Sequence, residues 1–484
     1  MDAVDLARWQ FGITTVYHFL FVPLTIGLSA TVAGFQTAWF ATGREHFRRL
    51  TKYFGTLLVI NFATGVVTGL VQEFQFGLNW SAFSRFVGDI VGVPLAIEGL
   101  LAFFLESTFL GLWIFGWDRL PRWLHLACIW IVAIGTQLSA YVILAANSWM
   151  QQPTGFRVDP ETGRAYLDDF TALLTSETAV ASYLHVASAA FVVGGGFVAG
   201  VAMWRLGHRS TPDSDRSAFR TAAAVGAVVT LVAAAGVVVT GDHQAKLVAR
   251  DQPMKLAAAE GLFETESPAA FSLLTIGNAE GTAALWSVRA SHLLSVLATG
   301  TWDGEVRGIH DLQEEYVQRF GPGDYVPNVP LSYWSFRFMI GLGLLAAFLA
   351  LLCLALLRWG GPLVRSRWVG RVALVLPLLP LLANSWGWIF RETGRQPWLA
   401  FGLFKTAEGV SPGVTPAAIV ASMAAFTVVY GVLAVVEVAL LARNARELPP
   451  AAGDGPEDRR DSGVAADPEV TGDDVLDAPM SLSR

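Results

Sequence analysis

The chain is poor in cysteine, in charge and in clustered histidine, and each shortage removes a class of protein. Only 2 of its 484 residues are cysteine. Cys128 and Cys353 both lie in apolar runs, so no disulfide framework is expected, and the lack of any C-x-x-C-H excludes covalent haem attachment. No two histidines are adjacent, which argues against a haem–copper centre. Nor does one helix carry the paired histidines of a cytochrome b, since His18 and His185 stand alone on theirs. Charged residues make up 15% of the chain, against about a quarter in soluble domains. No basic face with aromatic platforms is present, so nucleic-acid binding is not expected. The formal charge of −7 says little about partners, because much of the acid falls in Asp454–Asp477. Met1–Gln10 lacks a cleavage-site pattern, so the first apolar span is expected to act as the insertion signal itself.

What the chain has is apolar length. It is 53% hydrophobic, with a mean hydropathy of +0.48. Nine stretches reach the roughly 20 residues that cross a hydrocarbon core. They run over 11–41, 53–78, 92–116, 123–147, 178–204, 218–240, 331–357, 368–392 and 414–442, and Pro23 predicts a kink in the first. Arginine and lysine gather after the odd-numbered spans: Arg44, Arg48, Arg49 and Lys52, then Arg119 and Arg122, then Arg205, Arg209, Arg216 and Arg220, then Arg358, Arg365, Arg367 and Arg371. The positive-inside rule puts these loops in the cytoplasm, with the N-terminus outside and the C-terminus cytoplasmic. The expected fold is an all-α integral membrane protein of about nine transmembrane helices. Its expected parts are helices 1–6 over 1–240, a large outer loop over 241–330, helices 7–9 over 331–448 and a disordered cytoplasmic tail over 449–484. An outer loop of about ninety residues is too long to be a plain linker, and its mixed charge, aromatics and short helix-like runs predict a folded cap.

Titratable groups inside such spans are expensive and mark function by default. His18 sits about 10 Å deep at about 1.5 Å per residue. Glu98, His185 and Met339 fall at similar depth, and Glu392 closes a span on the same side. Histidine, methionine and carboxylate are side chains able to hold haem iron. Singly, each has a bland reading: a membrane histidine bonded to a carbonyl, or a methionine in ordinary packing. Agreement in depth shifts the balance, as does Arg337, whose guanidinium suits a haem propionate. Glu98 and Glu106, two turns apart, are expected on one helix face as part of a proton file. Lys255 and Glu260 form a candidate base pair, or else a solvated salt bridge in the loop. His46, His125, His208 and Glu437 read as interfacial.

Several runs then carry a specific resemblance: QFGITTVYHFLFVPLT around His18, EFQFGLNW from Glu73, GVPLAIEGLLAFFLESTFLGLWIFGWDRL around Glu98 and Glu106, KLAAAEGLFET from Lys255, FRFM ending at Met339, and GRQPW from Gly394. Together and in this order they resemble subunit I of cytochrome bd quinol oxidase, of the short Q-loop type. The resemblance implies a terminal oxidase of the bacterial plasma membrane that oxidises quinol and reduces O2 to water, generating proton motive force without a pump. It implies haems b558, b595 and d, with haem b replacing d in some relatives. His185 and Met339 match the b558 ligands, and His18, Glu98 and Glu392 match the ligands around the two high-spin haems. Trp388, Arg395 and Arg337 match the cofactor surroundings, Lys255 and Glu260 the quinol site, and Glu106 with Ser139 part of the inward proton path. Subunit II and a small single-helix subunit are the implied protein partners. The rival from another class is a haem-free proton-coupled transporter using Glu98, Glu106 and Arg337, which would show an inverted repeat that the sequence lacks.

Overall fold

A computed structural model describes residues 2–278 and 281–447. The expected tail over 449–484 lies outside the described residues. Among them are nine helical spans long and apolar enough to cross a membrane. The first is split into α1 (Ala3–Phe19) and α2 (Phe21–Thr42). The break comes at Leu20, just ahead of Pro23: proline lacks the N–H that would bond the Phe19 carbonyl, and its ring crowds that carbonyl. Next come α3 (Glu45–Leu78), then α4 (Ser81–Gly99), which passes through a π-helical segment (Leu100–Glu106) into α5 (Ser107–Phe115), then α6 (Arg122–Gln151). The strands β1 (Phe156–Val158) and β2 (Ala165–Leu167) and the short α7 (Phe170–Thr175) lead to α8 (Glu177–Gly207) and α9 (Asp213–Asp251). After α10 (Pro253–Glu260), strands β3 (Phe271–Gly277) and β4 (Ala284–Ala290), α11 (Leu293–Thr299) and α12 (Ile309–Phe320), the chain re-enters the bundle as α13 (Val329–Trp359). Then α14 (Arg367–Ala373) and α15 (Val375–Thr393) share one span, β5 (Trp398–Ala400) and β6 (Phe404–Lys405) form a hairpin, and α16 (Pro416–Arg446) ends the bundle.

Without a hydrophobic gain between helices in lipid, association rests on close backbone approach. Glycine supplies it where α2, α8 and α9 meet. A Cβ on Gly27 would lie 2.9 Å from the Gly194 Cα, and one on Gly195 would lie 2.7 Å from the Gly226 carbonyl oxygen. The apolar seam that follows includes Leu28, Val32, Val193, Val198, Ala222 and Ala227, all nearly without exposure.

All three hairpins lie at one end of the bundle, where the connections are longest. Backbone bonds tie those connections together: Phe401 N–H donates to the Met150 carbonyl at 3.0 Å and Ser411 N–H to Asn79 at 2.9 Å. The long connection is folded, as expected, but it holds an antiparallel hairpin as well as helices, with Phe271 opposite Ala290. Its base packs on the segment after α15 through Tyr316, Phe320, Tyr325, Trp398 and Phe401, with Tyr325 and Trp398 stacked at 5.6 Å. α9 runs on to Asp251, past the expected limit of 240, so the connection is shorter than the sequence suggests.

Replacing Gly194 by valine forces α2 and α8 apart. The expected result is a marked fall in the yield of monodisperse, detergent-solubilised protein and in its thermal midpoint. Wild-type values for both would show that the glycine contact does not set this packing.

Candidate functional site

Helix α6 organises the site through a row of residues spaced by four, the i±4n ridge of a helix surface. Gly135 gives Glu106 room, since a Cβ there would lie 3.1 Å from the glutamate Cγ. One turn on, the Ser139 hydroxyl donates to Glu98 at 3.4 Å. Asn147 donates to Glu392 at 2.9 Å and accepts from Arg391 at 2.6 Å. Gln151 accepts from the Lys255 ammonium at 2.9 Å. From Gly135 to Gln151 this row covers about 24 Å of helix. It touches four of the sequence-predicted residues in order. Ser139 thus faces Glu98 and not Glu106, because the intervening π-helical turn shifts the register that a plain α-helix would give. Glu106 is buried, and its Oε1 has no hydrogen-bond partner among the described residues.

His18 and His185 sit on different helices in matching surroundings. His18 Nδ1 lies 3.0 Å from the Thr68 hydroxyl, and His185 Nδ1 lies 3.1 Å from that of Thr240. Beside each threonine is a glycine against the ring: a Cβ on Gly69 would come 3.2 Å from His18 Cε1, and one on Gly241 would come 3.3 Å from His185 Cε1. Met339 on α13 faces Gly387 on α15, where a Cβ would come within 2.8 Å of the sulfur. Trp388 stacks on Phe19 at 5.0 Å, which brings the end of α15 next to the residue after His18. Among the described residues no three histidines, cysteines or carboxylates gather into a metal cluster. An iron bound here would therefore take most of its ligands from a cofactor ring.

Above these lies a buried charged layer. Lys255 and Glu260, both on α10, are nearly inaccessible and do not pair with each other. Five positions on a helix put two side chains about 140° apart, so the solvated-bridge reading fails: both groups are buried and each bonds elsewhere. Lys255 instead donates to Gln151 and, at 2.9 Å, to the Arg391 carbonyl. Burial pushes its ammonium well below the usual lysine range, and Arg391 adds to the shift. Glu260 accepts from Arg337 at 2.7 Å and from the Ser272 N–H at 3.1 Å. Burial raises its carboxyl and Arg337 opposes the rise. Arg337 thus meets a carboxylate of this chain through Nη2, while its Nε and Nη1 have no hydrogen-bond partner among the described residues; the same holds for those two atoms of Arg395, which bonds Glu392.

The sequence reading missed Asn147, Gln151, Arg391, Thr68 and Thr240. The first three had a signal, being polar groups in or beside apolar spans; the threonines had none, since one threonine in a membrane helix is ordinary. His125 and Glu437, read as interfacial, are buried, and His125 bonds Gln36 and the Trp113 carbonyl, each at 2.8 Å.

The sequence profile of cytochrome bd terminal oxidase subunit I matches residues 6–449. Cytochrome bd ubiquinol oxidase subunit 1 of Bacillus subtilis (strain 168) is 44% identical, over 92% of this chain and 94% of that protein. Cytochrome bd-II ubiquinol oxidase subunit 1 of Escherichia coli (strain K12) is 36% identical, over 92% and 96%. The bd oxidase structure from Geobacillus thermodenitrificans superposes with a TM-score of 0.81 at 27% identity, covering 92% of this chain and 98% of that one.

Removing one partner of a buried ion pair costs about 3–5 kcal/mol, whereas removing both costs far less. Arg337→Leu should therefore lower the thermal midpoint in detergent, and Arg337→Leu with Glu260→Leu should recover most of the loss. Equal losses in the single and double variants would show that the two groups are not coupled.

Proposed function

The chain belongs to the cytochrome bd terminal oxidase subunit I family, and on that premise we propose how its residues divide the work of a quinol oxidase. It is a multi-pass protein of the bacterial membrane and the enzyme class is oxidoreductase. Family membership also sets aside the haem-free transporter.

The observation that carries the proposal is the ordered polar row of α6, which joins the buried Lys255 layer to Glu392, Glu98 and Glu106. In our reading the loop-rich end faces outward and binds quinol, with Lys255 orienting a quinol oxygen. Glu260 takes the proton, because its Oε1 is buried and free of protein partners. Glu98, Glu106 and Ser139 hold and pass protons drawn from the cytoplasmic side. Protons leaving quinol outside and protons consumed from inside charge the membrane without a pump.

The residues fit haem. The unpartnered N–H groups of Arg337 and Arg395 suit propionate carboxylates, and the glycines against His18, His185 and Met339 let a neighbouring helix close on each side chain and hold it in place. His185 and Met339 would hold the low-spin b558 iron; His18, Glu98 and Glu392 would serve b595 and d, or b in place of d, with Trp388 between. Bound there, the haems would supply electron transfer from quinol and the chemistry of O2 reduction. Subunit II is the partner the family implies, and a small single-helix subunit is the further one we propose.

Glu260→Gln keeps the shape and removes the base. Oxygen uptake driven by quinol should fall by about 10²–10⁴-fold, while uptake driven by an artificial donor that bypasses the loop should persist. Equal losses with both donors would overturn the quinol role. Met339→Leu should abolish the low-spin b signal and leave the high-spin signals; an unchanged low-spin spectrum would reject Met339 as a ligand.

A further inference from the structure

The matching surroundings of His18 and His185 are produced by the same dipeptide, Thr-Gly, on a neighbouring helix: Thr68–Gly69 of α3 and Thr240–Gly241 of α9. We infer that these two dipeptides are positioning elements that fix the proton of each histidine on Nδ1 and leave Nε2 as the metal-facing nitrogen. The inference rests on the haem reading above and adds residues that it does not use.

The direction of the threonine hydroxyls decides which ring nitrogen carries the proton. Thr68 Oγ1 donates to the Thr64 carbonyl at 3.0 Å, and Thr240 Oγ1 donates to the Gly236 carbonyl at 2.8 Å. A hydroxyl has one proton, so a hydroxyl already bonded to a helix carbonyl can only accept from a further partner. The contact with histidine Nδ1 must then be Nδ1–H donating to threonine oxygen. A neutral imidazole with its proton on Nδ1 presents a lone pair on Nε2. The glycine completes the device, because any side chain there would crowd Cε1, the carbon between the two nitrogens. Chemically, a hydrogen bond at the far nitrogen makes the ring a stronger donor to metal and fixes its orientation. A stronger donor favours the oxidised iron.

The test uses the purified complex with its partner subunit and the variants Thr68→Val, Thr240→Val and the serine counterparts. Valine keeps the volume and removes the acceptor. Two quantities are read: haem midpoint potentials from an optical redox titration, and the rate of haem transfer to excess apomyoglobin. Thr240→Val should raise the low-spin potential alone and Thr68→Val a high-spin potential alone. Haem retention should weaken by about 10–100-fold at the altered site, with recovery by serine. Where a valine variant does not assemble, alanine removes the acceptor without adding bulk. Wild-type potentials and release rates in the variants would overturn the inference, as would equal shifts at both haem classes, the mark of general loosening. A wild-type complex without haem would instead overturn the haem reading on which it stands.

Discussion

A polar group inside a bilayer has no water to fall back on, so each must find a partner within the protein, and this constraint shapes the structure around α6. The helix meets it with small or polar residues at every fourth position except one, each turned to a titratable group on another element. Glu106, Glu98, Glu392 and Lys255 would each be costly alone. Arranged along one ridge they become a graded path from the middle of the bundle to its loop-rich end. The π-helical turn between Glu98 and Glu106 belongs to the same solution, because it resets the register so that both carboxylates meet the ridge.

The charged layer beneath the folded connection follows the same logic. Arg337 neutralises Glu260 while keeping two donors free, and Arg395 does so for Glu392. Such half-satisfied arginines are poor structural choices and good ligand holders. The aromatic packing of Tyr316, Phe320, Tyr325, Trp398 and Phe401 fixes the connection onto the bundle, so Lys255 and Glu260 are held by a rigid roof and not by a swinging loop.

Much of this was legible beforehand. Nine spans and their order among the described residues follow from hydropathy and counting, because lipid forces long apolar runs. The solvated-bridge reading of Lys255 and Glu260 was wrong, since a spacing of five in an assumed loop hides that α10 buries both and turns them to opposite sides. The β3–β4 hairpin was missed inside a connection read as helical, although its two short strands with β-branched residues were a usable signal. The two Thr-Gly dipeptides required the fold itself: a hydroxyl's partner on another helix leaves no trace in local sequence.

The central claim is that single side chains on separate helices hold haem iron in this bundle. The most direct test is a reduced-minus-oxidised optical spectrum of the purified two-subunit complex, combined with haem extraction. The account predicts extractable b-type haem with its reduced bands, accompanied by a far-red d-type band unless b replaces d. A fully assembled complex with no haem would contradict it.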